Sequence, residues 1–291
     1  MKLPFDHFSQ SFLRSFGQIM LQANAATGFL FLLGIGLNSA VMLVGSILAV
    51  LCALAVAQLG KFDAENIQQG LYGYNAALVG IAVWFLLPVN LTSLLLVIFG
   101  GALSTLLMHL MLSKLPKIPT FTAPFILSTW LLLIFIEYAD LALLDRALMT
   151  ADNATTIIDY IQASLRGVAV VMLQENALTG LIFLGALFCQ SAKVAVWALM
   201  GSTLAVLVAL SFSFSTEMII SGLYSFNACL VGIAMSILYP RKLGWIILTI
   251  SLSVFITWAF KQLDLSALTA PFVLSTWLAI AIITVTKKKA V

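Results

Sequence analysis

Ten apolar stretches run along the chain, at roughly 24–37, 38–60, 70–88, 91–113, 120–137, 176–190, 192–214, 219–238, 243–260 and 270–286, with short polar breaks between them. Crossing the hydrocarbon core of a bilayer takes about 20 apolar residues in a helix. The pattern therefore predicts an all-α polytopic membrane protein with five membrane helices in each half. The first stretch of each half is short and rich in Asn, Ala and Gly, which predicts that part of it re-enters rather than spans. A polar segment from Glu137 to Arg166, carrying Asp140, Asp145, Arg146, Asp152 and Asp159, separates the halves and predicts an amphipathic helix leading into the second. The expected organisation is a first membrane repeat over 1–137, a polar linker over 138–166 and a second repeat over 167–291.

The halves are related in sequence. Gly70 to Ala82 reads GLYGYNAALVGIA and Gly222 to Ala234 reads GLYSFNACLVGIA, identical at ten of thirteen positions with an offset of 152. Phe121 to Trp130 (FTAPFILSTW) and Leu268 to Trp277 (LTAPFVLSTW) share eight of ten at an offset of 147. A weaker pair precedes both, QANAATG at Gln22 to Gly28 against QENALTG at Gln174 to Gly180. Three matched blocks in matched order indicate a duplicated structural unit, and in an apolar protein such internal symmetry points to a transport path. An odd number of crossings per half inserts the second half upside down, giving an inverted repeat.

Composition narrows the picture. Hydrophobic residues make up 62% of the chain and charged residues 9%, whereas a soluble domain carries about 25% charge. The net charge of +3 and the lack of basic runs with stacking aromatics argue against nucleic acid. Cys52, Cys189 and Cys229 are single and apolar in context, with no paired spacing for a metal or disulfide. The first residues, MKLPFDHFSQSFLRSF, place polar groups where a signal peptide needs its apolar run. With both termini cytoplasmic, the inner loops hold Lys61, Lys114, Lys117, Lys193, Arg241, Lys242 and Lys287 to Lys289, and the short outer loops only Lys261. The positive-inside rule favours that orientation.

No Gly-rich phosphate loop, Ser/His/Asp set or metal-ligand cluster is present, and the two histidines, His7 and His109, do not form a mid-membrane pair. An enzyme and a cofactor are not expected. The polar residues near the spans come in matched pairs: Glu65 with Glu217, Gln22 with Gln174, Asn24 with Asn176, Asn75 with Asn227 and Thr122 with Thr269. Glu175 has no counterpart, its match being Ala23. Ionisable groups at a membrane span face a cavity or a partner because burying them in lipid is expensive. Asn, Gln and Thr also serve as glue between helices, and Asn75 and Asn227 fit either role. Proline removes a backbone donor and disfavours helix in the residue before it. Thr122-Ala123-Pro124 and Thr269-Ala270-Pro271 are therefore expected to start or break helices, exposing carbonyls and a hydroxyl to a cavity.

Together these blocks resemble the urea transporter family. Its signature, Leu-Pro-x-x-Thr-x-Pro-Phe, reads IPTFTAPF at Ile118 to Phe125 and LSALTAPF at Leu265 to Phe272, with Ile for the first Leu and Ser266 for the second proline. The resemblance covers about residues 15 to 285. It implies a homotrimer, each protomer conducting urea passively through its own pore between two inverted repeats; the economy of the loops adds the expectation of an inner (plasma) membrane. By motif match it places the pore glutamines at Gln22 and Gln174, the glutamates at Glu65 and Glu217, and the central threonines at Thr122 and Thr269. It also implies slots with apolar walls. Phe29 fits one, its partner position being Leu181, while Leu78 and Leu230 supply others. Urea is planar and neutral, with four N–H donors and one acceptor, so a dry path must offer acceptors at its edges and apolar walls to its faces. Two other readings stay open: a proton- or sodium-coupled carrier with Glu65 and Glu217 titrating, and a non-transporting membrane scaffold in which the polar pairs are packing glue. Conduction of another small neutral solute is a third.

Overall fold

The structure is a computed structural model that describes residues 5–144 and 156–289, and among them it is wholly helical. Asp145, Arg146 and Asp152 of the inter-repeat segment lie outside the described residues. By contact the chain divides into two compact units, one formed by 1–147 with 172–174 and the other by 148–171 with 175–291. The first holds α1 (Phe5–Gly17), a 3₁₀ turn (Gln18–Met20), α2 (Ala25–Asn38), α3 (Ala40–Leu59), α4 (Ala64–Gln68), α5 (Tyr74–Leu86), α6 (Leu91–Lys114) and α7 (Ala123–Tyr138). The second repeats the order: α8 (Ile157–Val170), α9 (Ala177–Phe188), α10 (Ala192–Ser211), α11 (Thr216–Ile220), α12 (Ser225–Leu238), α13 (Leu243–Gln262) and α14 (Ala270–Lys289).

Local chemistry explains the boundaries. Asn24, Ser39, Asp63 and Asn90 cap α2, α3, α4 and α6 by accepting from a first-turn N–H, and Asn176, Ser191 and Ser215 do the same for α9, α10 and α11. Thr156 and Asp159 form a capping box at α8. The Thr156 N–H and hydroxyl hold the Asp159 carboxyl below its ordinary range. Four left-handed backbone positions recur in both units: Leu21 and Leu173 (φ 60° and 55°), Lys61 and Ser213 (52° and 53°), Gly70 and Gly222 (77° and 78°), and Phe121 and Leu268 (44° each). Such conformations are costly for side-chain-bearing residues. Their recurrence at matched positions shows that the sequence repeat is also a repeat of backbone shape.

Each of the ten apolar stretches contains one helix, α2, α3, α5 to α7, α9, α10 or α12 to α14. Among the described residues only α3, α6, α10 and α13, of 20 to 24 residues, are long and apolar enough to cross a membrane singly. At 1.5 Å per residue, the 13 residues of α5 span only about 20 Å. Hydropathy overestimates the lengths of α5, α7 and α12 because the Gly70, Phe121 and Gly222 turns are themselves apolar and lie at or near the start of a stretch. The segment that precedes the first stretch is helical too: His7–Met20, α1 with the 3₁₀ turn, meets α2 at an angle of 74°. The short helices α1, α4 and α11 are additional to the elements expected from the apolar pattern, while α8 stands where an amphipathic helix was expected.

The centre of each unit is a short, largely apolar helix. Tyr74 to Trp84 of α5 and Ser225 to Ser236 of α12 are buried on every side. Glycines allow the approach. A Cβ on Gly80 would lie 2.3 Å from the Gly45 carbonyl of α3, and one on Gly232 would lie 2.4 Å from the Trp197 carbonyl of α10. Small residues allow helix backbones to meet in this way where lipid offers no hydrophobic drive.

One contact is solved in opposite senses. In the first unit Ser15 of α1 faces Gly73, where a Cβ would fall 2.2 Å from the Ser15 Oγ. In the second, at an offset of 152, Gly167 of α8 faces Ser225 of α12, where a Cβ would fall 2.3 Å from the Ser225 Cβ. Each crossing has room for one hydroxymethyl group. Gly73→Ser is expected to destabilise the protein by about 1–3 kcal/mol through overpacking, and adding Ser15→Gly is expected to recover most of it. Thermal unfolding of the single and double variants measures both.

Candidate functional site

The glutamine pair sits in tight turns. In the first unit the main chain turns at Leu21, and Gln22, 3% exposed, donates from Nε2 to the Met20 and Leu21 carbonyls, both at 3.0 Å. Gln174 follows Leu173 in the same way and donates to the Met172 carbonyl. By contact Met172–Gln174 belongs to the first unit, where Gln174 also donates to the Met42 sulfur at 3.4 Å. These donations fix which end of the amide is oxygen, and Oε1 accepts from Asn38 Nδ2 at 2.8 Å. Both glutamines are thus buried and oriented by the main chain.

The glutamates are not buried. Glu65 and Glu217 occupy the first turns of the five-residue helices α4 and α11, and both are exposed. A carboxylate there complements the positive end of a helix. Behind each helix the chain turns through Gly70 or Gly222, where a Cβ would strike the Ser15 N or the Gly167 N at 2.5 and 2.7 Å. Glycine is required twice over there, by φ and by space.

The central threonines lie at the two left-handed turns. Thr122 and Thr269 are each 2% exposed and immediately precede α7 and α14. The carbonyls expected to stand open at these breaks are engaged instead. Phe121 O accepts from the Tyr74 hydroxyl and Leu268 O from Asn227 Nδ2 at 3.2 Å. Thr120, Thr122, Ala267 and Thr269 carbonyls accept from Ala123, Ile126, Ala270 and Val273 N–H groups. The reason is burial: a carbonyl withdrawn from solvent must find a donor. The main chain at both breaks is thus engaged within the fold. Of the wall residues, Leu78 and Leu230 are each 1% exposed, whereas Phe29 and its counterpart Leu181 are 51% and 54% exposed on α2 and α9.

Comparison with known proteins accords with this duplicated arrangement. The family model described as urea transporter matches residues 9–284. The chain belongs to the urea transporter family. It is 29% identical over 250 residues to urea transporter 1 of Rattus norvegicus, covering 78% of this chain and 62% of that protein. It is 30% identical over 248 residues to urea transporter 1 of Ovis aries, covering 77% and 61%. The chain thus spans about three fifths of the length of the curated relatives it matches. Family membership makes this a multi-pass membrane protein and not an enzyme.

Two paired features of this urea transporter family member were not singled out from the sequence. Arg14 and Arg166, 152 apart, donate from Nη1 to the carbonyls of Gln68 and Ile220, at 3.1 and 2.9 Å. Those carbonyls end α4 and α11, where a cation is favoured, so each arginine anchors the helix that carries Glu65 or Glu217. The Leu-Arg-Ser and Leu-Arg-Gly triplets at 13–15 and 165–167 were the available signal. The second feature is aromatic. Phe62 stacks on His109 with centroids 3.8 Å apart beside Tyr72, and Phe214 stacks on Trp258 at 5.6 Å beside Tyr224. His109 and Trp258 differ in type, and this hides the match in sequence.

Proposed function

We propose that this protein conducts urea passively across the inner (plasma) membrane, as a channel between two inverted repeats of five crossings each, with both termini cytoplasmic and three protomers assembled, each with its own pore. The observation that carries the reading is the family match over residues 9–284, joined to buried polar pairs that recur at matched turns in both units. In this reading Gln22, Gln174, Thr122 and Thr269 offer acceptors to urea N–H groups, Glu65 and Glu217 do so from the exposed side, and Phe29, Leu78 and Leu230 bound its faces. Buried acceptors offset the loss of water from the four N–H donors, each of which would otherwise cost roughly 1–3 kcal/mol. Weak binding at successive sites lets the solute leave as readily as it enters.

Urea equilibration into proteoliposomes of the purified protein, without an ion gradient and against protein-free vesicles, tests this. Fast, barely saturable entry is the expected result. Entry that appears only under a pH or sodium gradient would replace the channel with a coupled carrier, and entry at the lipid baseline under all gradients would remove urea as the solute.

A further inference from the structure

We propose that Asn75 and Asn227 are positioning residues for the central threonines, acting through the first turns of α7 and α14; the proposal rests on the urea-conduction reading. A helix start leaves its first N–H groups without partners, and the residue before the helix normally satisfies one with its side chain. Here Thr122 makes no such cap bond. Pro124 has no N–H to satisfy, so the next orphan donor is the Phe125 N–H, and it is met from another helix: Asn75 Oδ1 of α5 accepts it at 3.1 Å. In the second unit Asn227 Oδ1 of α12 accepts the Phe272 N–H at the same 3.1 Å. Both asparagines are fully buried, on helices enclosed on every side. They therefore tie the helix turn after each threonine to the enclosed central helix of its unit. In both units a first-turn N–H is thus satisfied from another helix.

The turn also has to be held at Phe121 and Leu268, whose φ of 44° is unfavourable for residues of that kind. The two units hold it by different means. In the first, the Tyr74 hydroxyl takes the Phe121 carbonyl, and the Asn75 amide is left with a 3.8 Å contact to the Met108 sulfur. In the second, position 226 is Phe and has no hydroxyl, and Asn227 Nδ2 takes the Leu268 carbonyl at 3.2 Å. Asn227 thus clamps the turn from both sides, while its counterpart shares the task with Tyr74. The same carbonyl finds a donor in each unit although the donor residue has changed, so closing this turn is a requirement of the site and not a by-product of packing.

The test is urea permeability of proteoliposomes, with elution profile and thermal midpoint recorded for each variant. Asn75→Leu is expected to lower permeability about tenfold and Asn227→Leu further, since one and two buried bonds are lost. Phe226→Tyr added to Asn227→Leu is expected to restore it to about the Asn75→Leu level. The Phe226→Tyr rescue keeps the proposal falsifiable if the Asn75→Leu variant fails to fold. Because Asn75 acts through Thr122, Asn75→Leu in a Thr122→Val background should cost little more, whereas independent structural damage would multiply. Multiplying losses, no rescue of Asn227→Leu by Phe226→Tyr, or full conduction by Asn75→Leu would each overturn the proposal. A parent protein that leaves urea outside would overturn the conduction reading itself, a result seen before any variant is compared.

Discussion

Thr122→Val is expected to lower urea permeability about tenfold or more while leaving the purified protein folded and its elution unchanged. Valine has nearly the shape of threonine but presents a methyl where the hydroxyl stood. At a position 2% exposed, no water replaces the lost acceptor. A urea N–H passing the turn would then go unsatisfied at roughly 1–3 kcal/mol, and every 1.4 kcal/mol on a barrier is tenfold in rate. Thr269→Val should behave alike, because its turn has the same φ, the same burial and the same cap. Stopped-flow light scattering on proteoliposomes measures the effect. Parental permeability in both valine variants would end the assignment of these hydroxyls to the path.

The second large effect is on folding. Gly28→Ala and Gly180→Ala should each leave little or no correctly folded protein. A Cβ on Gly28 would lie 1.8 Å from the Leu13 carbonyl oxygen, and one on Gly180 would lie 1.9 Å from the Leu165 carbonyl oxygen. These are main-chain atoms of α1 and α8, so no side-chain rotation relieves the collision and the helix itself must move. Overpacking costs typically about 1–3 kcal/mol when side chains can yield; here the cost is expected to exceed that range. Moving α1 or α8 would also displace Arg14 or Arg166 from the carbonyl at the end of α4 or α11. Gly185→Ala is the control, in the same helix as Gly180 but with nothing within 4 Å of the added carbon. It should be neutral or slightly stabilising, because alanine in a helix reduces unfolded-state freedom. Fluorescence-detected size exclusion and thermal midpoints separate the three.

Much of the architecture was legible because the pairs were legible. The ten apolar stretches coincide with ten helices, and the left-handed turns at Phe121 and Leu268 fall where Thr-Ala-Pro signalled a break. What misled was treating each polar residue by type. Carbonyls near a proline were expected to stand open, yet Tyr74 and Asn227 occupy them across about 40 residues of sequence. Asn75 and Asn227 fitted glue or path equally well, and they act as caps on N–H groups 50 and 45 residues later. Glu65 and Glu217, read as costly charges at a membrane span, are exposed in first turns that favour them.

The sequence by itself determined the solvent of this protein, the number and order of its apolar elements, the existence of two related units and the family to which it belongs. These follow from local quantities, such as apolar run length, proline and glycine placement and self-similarity, which do not depend on what a residue meets in space. Only the tertiary structure decided which elements are long enough to span, which buried polar atom answers which, and how a changed residue is compensated. The exchange of Ser15 and Gly73 for Gly167 and Ser225, and of Tyr74 for the Asn227 amide, leaves no trace in either member alone. Close packing makes space and hydrogen-bond capacity properties of a contact, shared between residues far apart in the chain, and a contact exists only once the chain has folded.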